Sequence, residues 1–172
     1  MNLLFRLLWI MLRARLSPKT AAPQDIVRLN LHVWLTDQDM FMHMTNSRYL
    51  SFGDLGRVDA LIRTGLRRAL DQQGWQAEIC AQTMTINRML KFPNRFTLET
   101  QIHAWDDRYI AIGQTFLRRG RNHATVNTVL QIQTESGDTV PPARLFEQLE
   151  SNTTSAAMPE TFQALIAQLR DA

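Results

Sequence analysis

The sequence predicts an α+β fold: one long central helix wrapped by a curved antiparallel sheet of about five strands. Three observations carry that expectation. Residues 46–70 hold a sustained apolar helical pattern, one strand-like segment precedes it, and four strand-like segments follow it. A helix with apolar residues on most sides needs a layer that wraps it, and a curved sheet supplies one. At 172 residues the chain fits a single main domain with enough material for a core.

Taken in order, residues 1–24 form an apolar and basic segment with a linker, 25–140 the main domain, and 141–172 a C-terminal extension. Residues 1–12 are almost all apolar, yet too few for a spanning helix of about 20 residues. A secretory signal fits poorly, because Arg6 lies inside the apolar run and no small-residue cleavage site follows. Two readings stand: an interfacial membrane helix, or a helix docked on the body or on a second subunit. Ser17 to Gln24, with Pro18 and Pro23, reads as a linker.

From Arg28 to Leu35 apolar and polar residues alternate, as in a half-buried strand. In the principal helix, Leu55, Val58, Ile62, Leu66 and Ala69 follow the three-four spacing of a buried face. Thr45 or Asn46 is placed to cap it, Arg63, Arg67 and Arg68 mark its solvent side, and Gly74 ends the region. Four strands are expected at Cys80–Leu90, Phe96–Ala104, Tyr109–Leu117 and Ala124–Thr134. Their tight connections suggest successive antiparallel hairpins. Residues Met158–Arg170 read as a short surface helix. An open sheet leaves an edge to be covered or paired, so a homodimer or tetramer is expected.

The net charge of +3 belongs to one end of the chain. Residues 1–20 hold Arg6, Arg13, Arg15 and Lys19 and no acidic group, leaving fifteen basic against sixteen acidic residues elsewhere. A balanced body argues against a general nucleic-acid surface. The lone cysteine, Cys80, excludes an internal disulfide and a sulfur-rich metal site, and is compatible with a reducing compartment. The expected location is cytoplasmic, with residues 1–15 a candidate peripheral contact on the inner face of a membrane.

Between the first strand and the helix, Asp37, Asp39, His43 and Asn46 fall within ten residues. A strand-to-helix junction sits beside free helix N–H donors, which favour anionic oxygens. Asp37, Asp39 and His43 also invite a metal reading, but three mixed ligands without a fourth make a weak site, and neither metal nor cofactor is expected.

The pattern Asp37-x-Asp39-x-x-x-His43-x-x-Asn46-x-x-Tyr49-Leu50 resembles that of hotdog-fold acyl-CoA thioesterases of the 4-hydroxybenzoyl-CoA thioesterase type. Asp54 and Arg57 match further, and the turn Trp105 to Arg108 resembles a thioesterase-like subgroup with a bulky residue before the histidine. Two positions depart from the pattern. Met42 stands where the family usually has glycine, and Thr45 replaces the first asparagine of a pair. Methionine enters left-handed backbone only at a cost, so the loop is expected to take a different path.

The resemblance implies hydrolysis of an acyl thioester, acyl-CoA or an acyl carrier, in lipid metabolism. Asp39 would be the catalytic carboxylate, as base or nucleophile. His43, Asn46, Tyr49 and Asp54 would support it: His43 by orienting Asp39 or substrate, Asn46 as helix cap, Tyr49 by lining pocket or core, and Asp54 as an alternative helix carboxylate. Each has a plainer reading: a loop carboxylate capping amides for Asp39, a hydrogen-bonded loop histidine for His43, an ordinary ion pair for Asp54 with Arg57. Arg88, Arg118, Arg119 and Arg121, at strand ends, are candidates for the phosphates of coenzyme A, or else solubilising groups. The alternative is a non-catalytic hotdog protein that binds acyl-CoA or lipid, associated with a membrane, which turnover separates from the enzyme. A dehydratase or hydratase on the same fold ranks lower, because the carboxylate motif resembles the thioesterase pattern.

Overall fold

The chain alternates apolar and polar residues through its second half, and each such stretch pairs into one sheet. The structure is a computed structural model that describes residues 2–15, 21–149 and 154–170. The elements run α1 (Asn2–Arg15), β1 (Val27–His32), α2 (Asn46–Thr64), α3 (Leu66–Gln73), β2 (Gln76–Ile86), β3 (Arg95–Trp105), β4 (Tyr109–Arg118), β5 (Arg121–Gln133), β6 (Thr139–Val140), α4 (Pro142–Glu147) and α5 (Glu160–Arg170). Part of the expected linker, residues 16–20, lies outside the described residues.

The strand order is β1-β3-β4-β5-β2, all antiparallel, with the short β6 added beside β5. Hairpins join β3 to β4 and β4 to β5, as expected. The expected β2–β3 hairpin is absent: β2 pairs with β5, and the chain crosses from one side of the sheet to the other before β3 begins. Connection length alone had suggested a hairpin, and the long-range β2–β5 ladder overrides it.

One sheet face packs on α2 and α3. Near β1 the core is built from Leu29, Tyr49, Phe52, Leu98, Phe116 and Val126, and at the far end from Leu66, Leu70, Ile102, Trp105, Ile112 and Ile132. Each such buried side chain contributes roughly 1.5–3 kcal/mol. The opposite face of β4 and β5 presents Tyr109, Ala111 and Val129, which α5 covers with Phe162, Leu165 and Ile166. Strand β4 is therefore buried on both faces, which explains its near-continuous apolar run.

Two helix expectations need correction. The expected single helix over 46–70 is broken at Gly65, which takes a left-handed conformation (φ 84°) between α2 and α3. The cap of α2 is Thr45, with Asn46 the first helical residue, so Asn46 does not cap the helix.

Helix α1 lies against α2 with its polar group turned inward. Arg6 binds the buried Asp37 at 2.9 Å and stacks over the Phe52 ring, while Ile10 enters the core.

Candidate functional site

The motif loop begins where β1 stops and the chain makes a short 3-10 turn, Leu35–Asp37. Asp37 is fully buried there. Its carboxylate accepts the Trp34 amide at 2.8 Å and pairs with Arg6 at 2.9 Å and Arg48 at 3.5 Å, a structural role that ties α1, the turn and α2 together. Burying a carboxylate without such partners would carry a desolvation cost of several kcal/mol.

Two residues later Asp39 is exposed. Its Oδ1 accepts the amides of Phe41 (2.8 Å) and His43 (3.2 Å), and its own amide donates to the His43 carbonyl at 2.9 Å. The carboxylate thus rigidifies the loop that presents it. His43 meets Asp39 through its backbone in these bonds. Met42 takes φ 60°, the left-handed region that a glycine would occupy freely. Methionine bears the strain of that conformation.

Helix α2 starts at the end of this loop. The side chain of its cap, Thr45, accepts no backbone amide of the first turn, and its Oγ1 meets Ser47 Oγ instead at 3.2 Å. The Arg48 amide donates to the Thr45 carbonyl at 2.9 Å, and the Asn46 and Ser47 amides before it keep their donor capacity, where the helix dipole is positive. One turn further on, Tyr49 is fully buried, its ring edge-on to Phe116 and its hydroxyl accepting the Leu90 amide at 2.9 Å. It belongs to the core, and burial raises its pKa.

The middle of α2 holds a polar assembly that residue spacing did not disclose. Arg57 is 5% exposed. Its guanidinium donates to Gln114 Oε1 and Thr128 Oγ1, both at 3.2 Å, and to the Asp54 carboxylate. Gln114 in turn donates to the Gly53 carbonyl (2.9 Å) and Thr100 Oγ1 (3.0 Å), and Gln82 donates to Thr128 Oγ1 at 2.9 Å. One helix is so joined to β2, β3, β4 and β5. Glycines at 53 and 56 make room: a Cβ on Gly56 would lie 2.6 Å from Leu98 Cδ2 and 2.7 Å from Thr100 Oγ1. Two glycines three apart inside a helix were the sequence signal for this close approach.

Asp54 itself is exposed, yet desolvation by its surroundings raises its pKa, against the pull of Arg57. Asp54 and Arg57 line a groove of about 600 Å³ between the helices and terminal strand β2, with Trp75, Ile79, Leu130 and Glu135. Asp39 precedes the start of α2 whereas Asp54 lies near its middle, and Asp39 is not among the residues that line this groove.

The basic candidates gather at one end of the sheet. Arg118, Arg119 and Arg121 occupy the β4–β5 turn, and Arg88 follows β2, its backbone bonded to His123. A second groove of about 450 Å³ there is lined by His32, Arg95, Arg118 and Arg119. Desolvation, with Arg6 and Arg95 nearby, lowers the His32 pKa. Sequence reading had not included His32 or Arg95, because their register opposite each other appears only on pairing β1 with β3.

With this geometry in hand, comparison with known proteins gives a consistent result. Among solved structures, the probable thioesterase YbaW of Escherichia coli superposes with a TM-score of 0.67 at 16% identity, over 72% of this chain and 96% of that one. A hypothetical protein of Staphylococcus aureus, SAV2348, solved in complex with CoA, gives 0.58 at 14% identity, over 83% and 95%. These likenesses establish the hotdog architecture. Protein THEM6 of Xenopus laevis is 28% identical over 111 residues, 63% of this chain and 52% of that protein, so the chain spans about half the length of that curated relative. The thioesterase-like superfamily matches residues 33–166, which runs from the end of β1 through most of α5. The chain belongs to the thioesterase-like superfamily.

Proposed function

We propose that the protein hydrolyses an acyl thioester, acyl-CoA to free acid and CoA, with Asp39 as general base or nucleophile and no metal. The observation that carries this reading is the junction at α2: a carboxylate held by two loop amides, followed at once by a helix start without a side-chain cap. As base, Asp39 takes a proton from water as the water oxygen bonds the thioester carbon. Negative charge moves to the carbonyl oxygen, where uncapped helix amides, from the same or a second subunit, stabilise it. Collapse of the tetrahedral intermediate breaks the C–S bond and releases the CoA thiolate, a good leaving group that takes up a proton afterwards. As nucleophile, Asp39 would bond the carbon itself and expel the CoA thiolate, and water would then cleave the mixed anhydride to free acid and the regenerated carboxylate. Arg88, Arg118, Arg119 and Arg121 would meet the phosphates of CoA.

The test is the purified chain against a panel of acyl-CoAs with Asp39→Asn and Asp54→Asn in parallel. Asp39→Asn is expected to lower kcat by about 10²-fold or more. Equal rates for the original chain and Asp39→Asn would remove Asp39. Loss only in Asp54→Asn would transfer the role to the groove carboxylate, the second reading that its raised pKa and its place in the groove support. Tight acyl-CoA binding without turnover in the original chain would favour a non-catalytic binder.

The same reading needs a second subunit to close the acyl site. Terminal strand β2 pairs on one side only, with β5, and carries the half-exposed Ile79 beside the groove. Sedimentation velocity is expected to show a dimer or tetramer, shifted toward monomer by Ile79→Lys, because an edge lysine opposes strand pairing. A monomer at every concentration would sink this part.

A further inference from the structure

Among the described residues fourteen large hydrophobic side chains are exposed, and ten of them fall in just two segments, residues 5–12 and 34–42. On α1, Phe5, Leu8, Trp9 and Leu12 follow the i, i+3, i+4, i+7 spacing, and each is more than half exposed. The inward face holds Arg6 and Ile10. With Leu7 also packed on the core, α1 carries apolar side chains on both its inner and its outer face, beyond the single buried stripe of a surface helix. In the second segment Trp34 and Leu35 flank the 3-10 turn, and Met40 and Phe41 are 88% and 71% exposed at the loop tip. The Arg6–Asp37 ion pair joins the two segments. Single exposed apolar residues need no explanation, whereas this concentration marks an interaction surface.

Charge selects the occupant. The groove lined by His32, Arg95, Arg118 and Arg119 contains no acidic lining residue, and it shares Asn30, Leu31 and His32 with the groove between α1 and β1. Besides Arg6, which pairs with Asp37, residues 1–20 carry three further basic groups in sequence and no acidic one. Apolar side chains with tryptophans, rimmed by cations, suit the headgroup boundary of an anionic bilayer. No helix among the described residues is long and apolar enough to cross a membrane; the exposed stripe along α1 suits contact parallel to the surface. We infer that the outer face of α1 and the Met40–Met42 loop form a docking surface for an anionic lipid bilayer. Docking would also set the Asp39 loop at the boundary where long-chain acyl thioesters partition. That consequence rests on the proposed hydrolysis, while the docking does not.

The experiment uses the full chain with vesicles of phosphatidylcholine, alone or mixed with phosphatidylglycerol, and no thioester, so a failed hydrolase reading leaves it unaffected. Co-sedimentation is expected with the mixed vesicles and to weaken with salt. Trp9→Gln combined with Leu12→Gln, and separately Phe41→Gln, should each lower vesicle affinity roughly tenfold. Arg95→Gln with Arg118→Gln should remove the preference for phosphatidylglycerol, worth roughly tenfold or more. Should a variant fail to fold, tryptophan quenching of the original chain by brominated lipids gives the same reading. Absent sedimentation, absent quenching, or equal affinity of folded variants would each overturn the proposal. So would loss of self-association in Trp9→Gln/Leu12→Gln without vesicle binding by the original chain, which would make the face a subunit contact.

Discussion

Met42 holds φ 60° between the two backbone bonds that close the Asp39 loop. A side chain there costs about 1 kcal/mol that glycine would not. Part of that cost is offset because glycine has more freedom to lose from the unfolded chain. Met42→Gly is therefore expected to raise stability by about 0.5 kcal/mol, read from the urea midpoint, and a lowered midpoint would show that the Met42 side chain makes a contact that matters more than the strain. At this scale the loop was legible in part. Aspartate followed by bulky residues and a histidine suggested amides captured by a carboxylate, and Asp39 does capture them. The burial of Asp37 was not legible, because its partner Arg6 lies 31 residues away and looks, in sequence, like an interruption of an apolar run.

Elements were legible where a period repeats, and illegible where it is broken without changing phase. Four of the five principal strands follow from alternation, while β2, expected at Cys80–Leu90 from a segment rich in Thr, Ile and Met, runs Gln76–Ile86. The break at Gly65 was hidden because Ile62, Leu66 and Ala69 keep apolar spacing across it. Gly65 closes α2 with its amide bonded to the Ile62 carbonyl, and its φ of 84° suits only glycine. Gly65→Ala is expected to cost about 1 kcal/mol, measured by thermal or chemical denaturation. An unchanged midpoint would mean that the α2–α3 junction relaxes into continuous helix. The β2–β5 pairing was hidden for another reason: partners some 50 residues apart leave no local trace, and only the buried Gln114 and Thr128, polar residues inside apolar strands, hinted at shared partners.

Across the whole molecule, three histidines are held less basic than usual. Desolvation is the leading cause for His32, His103 and His123. His103 sits against Gly113, where a Cβ would lie 2.3 Å from Nε2, and its ring is 5.7 Å from that of Phe162 on α5. A histidine with a lowered folded pKa binds its proton more readily in the unfolded state. Stability is therefore full above the unfolded value of about 6.5 and falls as pH drops through it. Urea midpoints are expected to decline between neutral and mildly acidic pH, with a shallower decline in His103→Gln. An identical slope in that variant would clear His103 of the effect.

The guanidinium of Arg57 has a mechanical consequence. It sits midway along α2 and is fastened to two strands directly and to two more through Gln114 and Thr128. A helix sliding by one turn would strand a positive charge in the interior, a penalty far above thermal energy. Arg57 thus indexes the helix like a dowel. The aim of the first-turn amides, eleven residues upstream of it, is fixed from the middle of the rod rather than from its tip.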